Sequence, residues 1–228
     1  GVLERDEQLR LMLAQVAHEI RNPLGGLELF ATAAIDAEDR TERKRLIDRV
    51  RGEVGALNRI INDFLAFARP TAVEMAAVDV RMPTREAVEL ATAQGRGHDA
   101  RVELLLPREP LVARANPEQV KRVVLNLVQN AFSVSDRVVV RGLPVGGETL
   151  IAVADDGPGV PADQRERIFE PFVTDKEKGA GLGLAIVKRD MEAMDGRVEV
   201  GDAQESGVGT GAEFRVYFPG LEDPPREE

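Results

Sequence analysis

Six apolar residues near the amino terminus, Leu9, Leu13, Val16, Ile20, Leu24 and Leu27, are separated by steps of 4, 3, 4, 4 and 3. At 3.6 residues per turn they share one stripe roughly 80° wide, so the spacing predicts a long amphipathic helix. The polar stretch DAEDRTE at 36–42 interrupts the pattern. Leu46, Val50, Val54, Leu57, Ile61, Phe64 and Ala68 then resume it with steps of 4, 4, 3, 4, 3 and 4, and Pro70 ends it. Two such helices joined by a short polar turn form an antiparallel hairpin, which cannot cover both of its own seams. The expectation is a homodimeric four-helix bundle; the alternative is a hairpin packed on the rest of its own chain.

After Pro70 the sequence changes to short β-rich runs punctuated by Pro and Gly. The predicted order is a linker at 71–77, a helix at 84–94, a strand at 101–106, a helix at 117–132 with Pro117 in its first turn, and strands at 137–143 and 149–154. A helix opening at a glycine cluster (181–194) and a hairpin of RVEVG and AEFRVYF complete the set. That order describes an α/β sandwich with helices on one face of a mixed or antiparallel sheet. The expected organisation is a helical hairpin at 1–70, the linker, an α/β domain at 78–220, and a disordered acidic tail at 221–228.

The chain of 228 residues has no cysteine, so disulfides, thiolate zinc and a cysteine nucleophile are excluded, and any nucleophile must be Ser, Thr, Lys, His or a carboxylate. A formal charge of −10 argues against a broad face for nucleic acid or an anionic membrane. No apolar run approaches the ~20 residues of a membrane span, and the start lacks a signal peptide's basic region and apolar core. The expectation is a soluble, cytoplasmic portion of a longer protein.

His18 lies about 160° around its helix from the apolar stripe and therefore faces solvent. It heads HEIRNP, with Glu19 beside it and Asn22 one turn on. Pro23 follows inside an apolar period that continues through Leu24, Leu27 and Phe30, which favours a kinked but continuous helix over one that stops. A neutral imidazole keeps one ring nitrogen free to attack, and a neighbouring carboxylate can hold the proton on the other. These residues make His18 a candidate nucleophile and Glu19 its base or orienter.

The second constellation has no GxxxxGK[ST] motif, which excludes a Walker-type loop. In GAGLGL, Gly179, Gly181 and Gly183 flank Leu182 and open a helix, where unpaired N–H groups and absent Cβ atoms favour phosphates. Lys176 and Lys178 sit just upstream. In NLVQNA, Asn126 and Asn130 share a helix face, and the amide oxygen of Asn130 suits Mg²⁺, which takes few protein ligands and fills its shell with waters and phosphates. In ADDGPGV, Asp155 closes an apolar strand and can accept a hydrogen bond from an exocyclic amine, while Gly157 and Gly159 let a base lie against the backbone.

The run HEIRNPLGGLELF resembles the H-box of sensor histidine kinases of the HisKA type. That resemblance implies that His18 is phosphorylated on a dimeric hairpin, that Glu19 assists as base, and that Asn22 orients water in the reverse, phosphatase reaction. NLVQNA, DDGPG, RIFEPF and GAGLGL, in that order, resemble the N, G1, F and G2 boxes of the GHKL (Bergerat) ATP-binding fold, and residues 1 to about 219 fall within the likeness. It implies ATP and Mg²⁺ as cofactors, Phe169 and Phe172 as anchors of a mobile lid, Lys176 at the γ-phosphate, and Thr210 near the adenine. The stretch IFEPFVTDKEKGAGLGLAIVK is most similar to the short-lid kinases of the nitrogen-regulation class.

Two positions depart from the pattern: Ser133 stands where a lysine is frequent and Ala180 where Ser or Thr is usual. Asn126 replaces the water-activating glutamate of gyrase- and chaperone-type relatives, which favours transfer to His18 over simple hydrolysis. The expected function is an autokinase that passes its phosphoryl group to a response-regulator aspartate; the alternative is a nucleotide-binding scaffold without kinase activity. His98, in a Gly-rich connection, is read as an exposed loop residue. The basic run RTERKRLIDRVR (40–51) is a solvated helix face or a docking surface for an acidic receiver domain.

Overall fold

The computed structural model describes residues 2–68, 74–94, 101–173, 181–203 and 209–221. The chain divides into two compact units, residues 1–69 with 171–182, and residues 70–170 with 183–228.

The first unit is built on α1 (Val2–Asp36) and α2 (Arg40–Ala68). The helix α1 runs unbroken past Pro23, as the uninterrupted apolar period requires. Only residues 37–39 connect the helices, because Asp39 starts α2 at once. Its Oδ2 accepts the Glu42 N–H at 2.8 Å, and its carbonyl accepts the Arg43 N–H at 3.0 Å. The two helices come close at Gly26, where a Cβ would sit 3.1 Å from Cγ of Glu53. Farther along, the Arg49 guanidinium lies 5.2 Å from the Phe30 ring centroid. Ile47, Val54 and Ile61, spaced by seven residues, together with Leu65, leave an exposed apolar stripe along α2.

The second unit contains β1 (Ala76–Asp79), α3 (Arg81–Gln94), β2 (Arg101–Leu105), β3 (Val112–Ala115), α4 (Pro117–Phe132), β4 (Arg137–Val145), β5 (Glu148–Asp155), α5 (Gly183–Ala193), β6 (Arg197–Asp202) and β7 (Ala212–Phe218). Five strands form a mixed sheet ordered β2-β4-β5-β7-β6, with β2 parallel to β4 and the other neighbours antiparallel. Register pairs Val140 with Val153, Val153 with Phe214, and Phe214 with Val200. Because side chains alternate along a strand, Val138, Val140, Ile151, Val153, Phe214 and Val216 share one face. They form a single core with Val120, Val123, Val124, Leu127 and Val128 of α4 and Val187 and Met191 of α5.

The structure differs from the sequence reading at three places. The strands β1 and β3 pair antiparallel as a separate two-stranded sheet; β1 begins at Ala76, inside the stretch read as linker, and β3 was not foreseen. At four residues each they are too short to show a period. The helix α3 starts at Arg81, three residues early, because Asp79 Oδ1 accepts the Arg81 N–H at 3.2 Å and Pro83 falls in the first turn, where its missing N–H costs nothing. The helix α5 begins at Gly183 rather than 181.

Candidate functional site

The carboxyl end of β5 carries the first part of the site. Asp155 is 2 % exposed, and its Oδ1 accepts the N–H of Gly157 at 2.9 Å and of Ala212 at 3.3 Å. This fixes the carboxylate between its own loop and the start of β7. The glycines here are steric requirements. A Cβ on Gly157 would lie 2.8 Å from Asp155 Oδ1, and one on Gly211 would lie 1.8 Å from the Asp155 carbonyl oxygen. Gly159 has φ +76°, a left-handed conformation suited to glycine, and a Cβ there would sit 3.3 Å from the Gly211 oxygen. A cavity of about 380 Å³ opens beside them, with Gly159, Val160, Arg165, Thr210 and Gly211 in its wall. Thr210 is thus brought next to Gly159, although about fifty residues separate them in sequence.

The helices α4 and α5 supply the second part. Asn116 caps α4, its Oδ1 accepting the N–H groups of Glu118 at 3.1 Å and Gln119 at 3.2 Å, and Pro117 follows at the first position. This start sets the phase that leaves Asn126 and Asn130 half-buried together on one flank of the helix's buried face. Asn126 donates its Nδ2–H to the Arg122 carbonyl at 2.9 Å, and its Oδ1 lies 3.1 Å from where a Cβ of Gly183 would be. A larger residue at the first position of α5 would therefore press on the Asn126 amide. Ser133 closes α4, its N–H and hydroxyl both donating to the Asn130 carbonyl, at 3.2 and 2.5 Å.

Phe169, in a short 3-10 turn at 167–169, is buried and meets Phe214 edge-on with centroids 6.2 Å apart. Phe172 is half-buried with φ +66°; its N–H donates to the Gly181 carbonyl at 3.0 Å, and a Cβ on Gly181 would lie 2.7 Å from the Phe172 carbonyl carbon. Leu182 is fully buried. Lys176, Lys178, Gly179 and Ala180, like His98, lie outside the described residues.

On α1, His18 and Asn22 are exposed one turn apart, Glu19 is half-buried, and Pro23 is buried. Sequence reasoning missed Gly211 and Ala212, which lock Asp155, and also Arg122 and Asp190, which form an ion pair between α4 and α5. The glycines of GTG were the only signal for the first pair, and nothing local signals the second.

A buried carboxylate beside a glycine-walled backbone, and a helix opening at Gly183 against Asn126, fit an adenine nucleotide: one end offers an acceptor for an amine, the other N–H donors for phosphates. The half-buried amide of Asn130 fits a single oxygen ligand to Mg²⁺.

Residues 8–73 match the family described as His Kinase A (phospho-acceptor) domain, and residues 115–222 match Histidine kinase-, DNA gyrase B-, and HSP90-like ATPase. The chain is 29% identical over 225 residues to sporulation kinase D of Bacillus subtilis, covering 93% of this chain and 42% of that protein. Among solved structures, histidine kinase ThkA in complex with the response regulator protein TrrA aligns with a TM-score of 0.78 and 25% identity, over 96% of this chain and 64% of that one. ShkA in complex with AMPPNP aligns with a TM-score of 0.62 and 32% identity, over 91% and 45%. A helical phospho-acceptor hairpin followed by an ATPase-type α/β domain defines the class, and the chain belongs to the histidine kinases as a catalytic region of that family. It spans less than half the length of sporulation kinase D. No described helix is long and apolar enough to cross a membrane.

Proposed function

We propose that this chain is an ATP-dependent protein-histidine autokinase of a two-component system, cytoplasmic and active as a homodimer. The observation that carries the reading is an exposed histidine on α1, followed by Asn22 and Pro23, in the same chain as the Asp155 and Gly183 cradle. Asp155 accepts a hydrogen bond from the adenine amine. The amino terminus of α5, with Lys176 and Lys178, receives the phosphates, and Asn130 holds Mg²⁺, which neutralises charge on the phosphate oxygens. Glu19 holds the proton on one ring nitrogen of His18 and leaves the other free. That nitrogen bonds to the γ-phosphorus, the bond from phosphorus to the β–γ bridging oxygen breaks, ADP leaves, and Glu19 takes the ring proton. Positioning and charge stabilisation supply most of the rate.

The phosphoryl group then moves to an aspartate of a response regulator, and Asn22 orients water for the opposing phosphatase reaction. The ThkA–TrrA structure supports the first of these, because a kinase of this fold is seen there with such a partner; ShkA with AMPPNP supports the nucleotide. The apolar stripe of Ile47, Val54, Ile61 and Leu65 supports a second copy. Incubation with γ-labelled ATP and Mg²⁺ tests the reading. Acid-labile label on the wild type, absent in His18→Gln, is expected; an unlabelled wild type would remove the kinase assignment. One observation favours the scaffold alternative: Ser133 directs its hydroxyl to the Asn130 carbonyl rather than outward. Tight ATP binding without label would support that alternative.

A further inference from the structure

Asp190 is the only carboxylate among the described residues of α5's inner face, and its side chain is 0 % exposed. Burying a carboxylate in the middle of a helix is costly unless it is paired. Its Oδ2 accepts Nε of Arg122 on α4 at 2.6 Å, and its Oδ1 accepts Nη2 of Arg189 at 3.2 Å. The Arg122 side chain stays 27% exposed, so the pair runs from the buried carboxylate to a guanidinium at the edge of the core.

The backbone of Arg122 performs a second task. Its carbonyl accepts the Nδ2–H of Asn126 at 2.9 Å, and Asn126 Oδ1 then abuts Gly183, 3.1 Å from its Cβ position. The helix α5 thus meets α4 at two polar points seven residues apart, a close approach of Gly183 to Asn126 and the ion pair of Asp190 with Arg122. Apolar packing of Val187 and Met191 already seats α5 on the core shared with α4, and the two polar features, one near each end of that packing, add directional constraints that apolar contact lacks. The amino terminus of α5 provides the N–H groups of the phosphate cradle, and α4 provides Asn130. The ion pair and the phosphate-facing amino terminus therefore lie on the same helix, two turns apart.

We propose that Arg122 and Asp190 are positioning residues for the triphosphate: their ion pair sets the amino terminus of α5 at the distance from α4 that a Mg²⁺-bound β- and γ-phosphate requires. This deepens the autokinase reading and rests on it. Asp155, at the end of β5, holds the base through contacts that involve neither residue. The pair therefore acts on the phosphates and not on adenosine.

The test compares the full chain with Arg122→Gln and Arg122→Lys. Arg122→Gln leaves Asp190 paired with Arg189, so the fold is kept, which circular dichroism and thermal melting verify. Titration with Mg·ATP and with adenosine reads the effect. Arg122→Gln is expected to weaken Mg·ATP about 10-fold, about 1.4 kcal/mol, with adenosine within twofold of wild type, and Arg122→Lys to recover most of the loss. An equal loss for both ligands would show a general loosening and overturn the proposal, as would unchanged Mg·ATP affinity. Should the wild type bind neither ligand, the autokinase reading fails by itself. The ion pair is then judged by the backbone amide resonances of Gly183 and Leu184 at the start of α5, which should shift in Arg122→Gln; unshifted resonances would refute the proposal.

Discussion

Asp79 is the residue whose acidity the fold changes most clearly. Hydrogen bonds from the Arg81 guanidinium, at 2.6 to 3.1 Å, hold its carboxyl well below the usual range, at about 2, against an opposing push from partial burial. The folded state thus binds this proton less readily than the unfolded one. The stabilisation is fully present above about pH 4 and is lost as pH falls from 4 toward 2, with a ceiling of about 2 kcal/mol. Urea unfolding of the wild type and Asp79→Asn should show a stability gap at pH 6 that has shrunk to a small part of its size by pH 2; a constant gap would assign the effect to something other than this charge. A second residue-scale expectation concerns Gly211. Its missing Cβ would overlap the Asp155 carbonyl oxygen at 1.8 Å, so Gly211→Ala should cost about 1–3 kcal/mol and displace Asp155. Thermal melting and nucleotide titration should both register it.

At the scale of elements, α4 agrees with its sequence at both ends, because its signals are local. Asn116 and Pro117 start it, and the apolar positions 120, 123, 124, 127 and 128 carry the period. Asn116→Ala should lower stability by about 1 kcal/mol in chemical denaturation. The helix α1 provides a paired comparison. A Cβ on Gly25 meets nothing within 4 Å, whereas one on Gly26 meets Glu53 at 3.1 Å. Gly25→Ala should stabilise by about 0.5–1 kcal/mol through helix propensity, and Gly26→Ala should gain less or lose. The elements that escaped the sequence are β1 and β3, which exist by pairing Val78 with Ala113 across an intervening helix and strand. No four-residue run announces a partner that distant.

For the whole molecule, the unsatisfied surface of the hairpin is the main issue. Ile47, Val54 and Ile61 recur every seven residues and stay exposed in the single chain, the spacing of a helix seam that expects a partner. A second copy covering that stripe predicts that Val54→Glu combined with Ile61→Glu converts a dimer to a monomer in light scattering, with helical content retained. An unchanged mass would place the interface elsewhere.

Sequence alone determined what depends on near neighbours. Periods of 3.6 and 2, caps, and the spacing within HEIRNP or NLVQNA are all written within a turn or two of chain, and the candidate histidine and the candidate nucleotide motifs were legible there. Tertiary structure decided what depends on residues far apart in the chain. Asp155 receives Ala212 from 57 residues away, and Asp190 receives Arg122 from 68. Neither contact follows from a pattern, because burying a carboxylate demands a partner without specifying where in the sequence that partner lies.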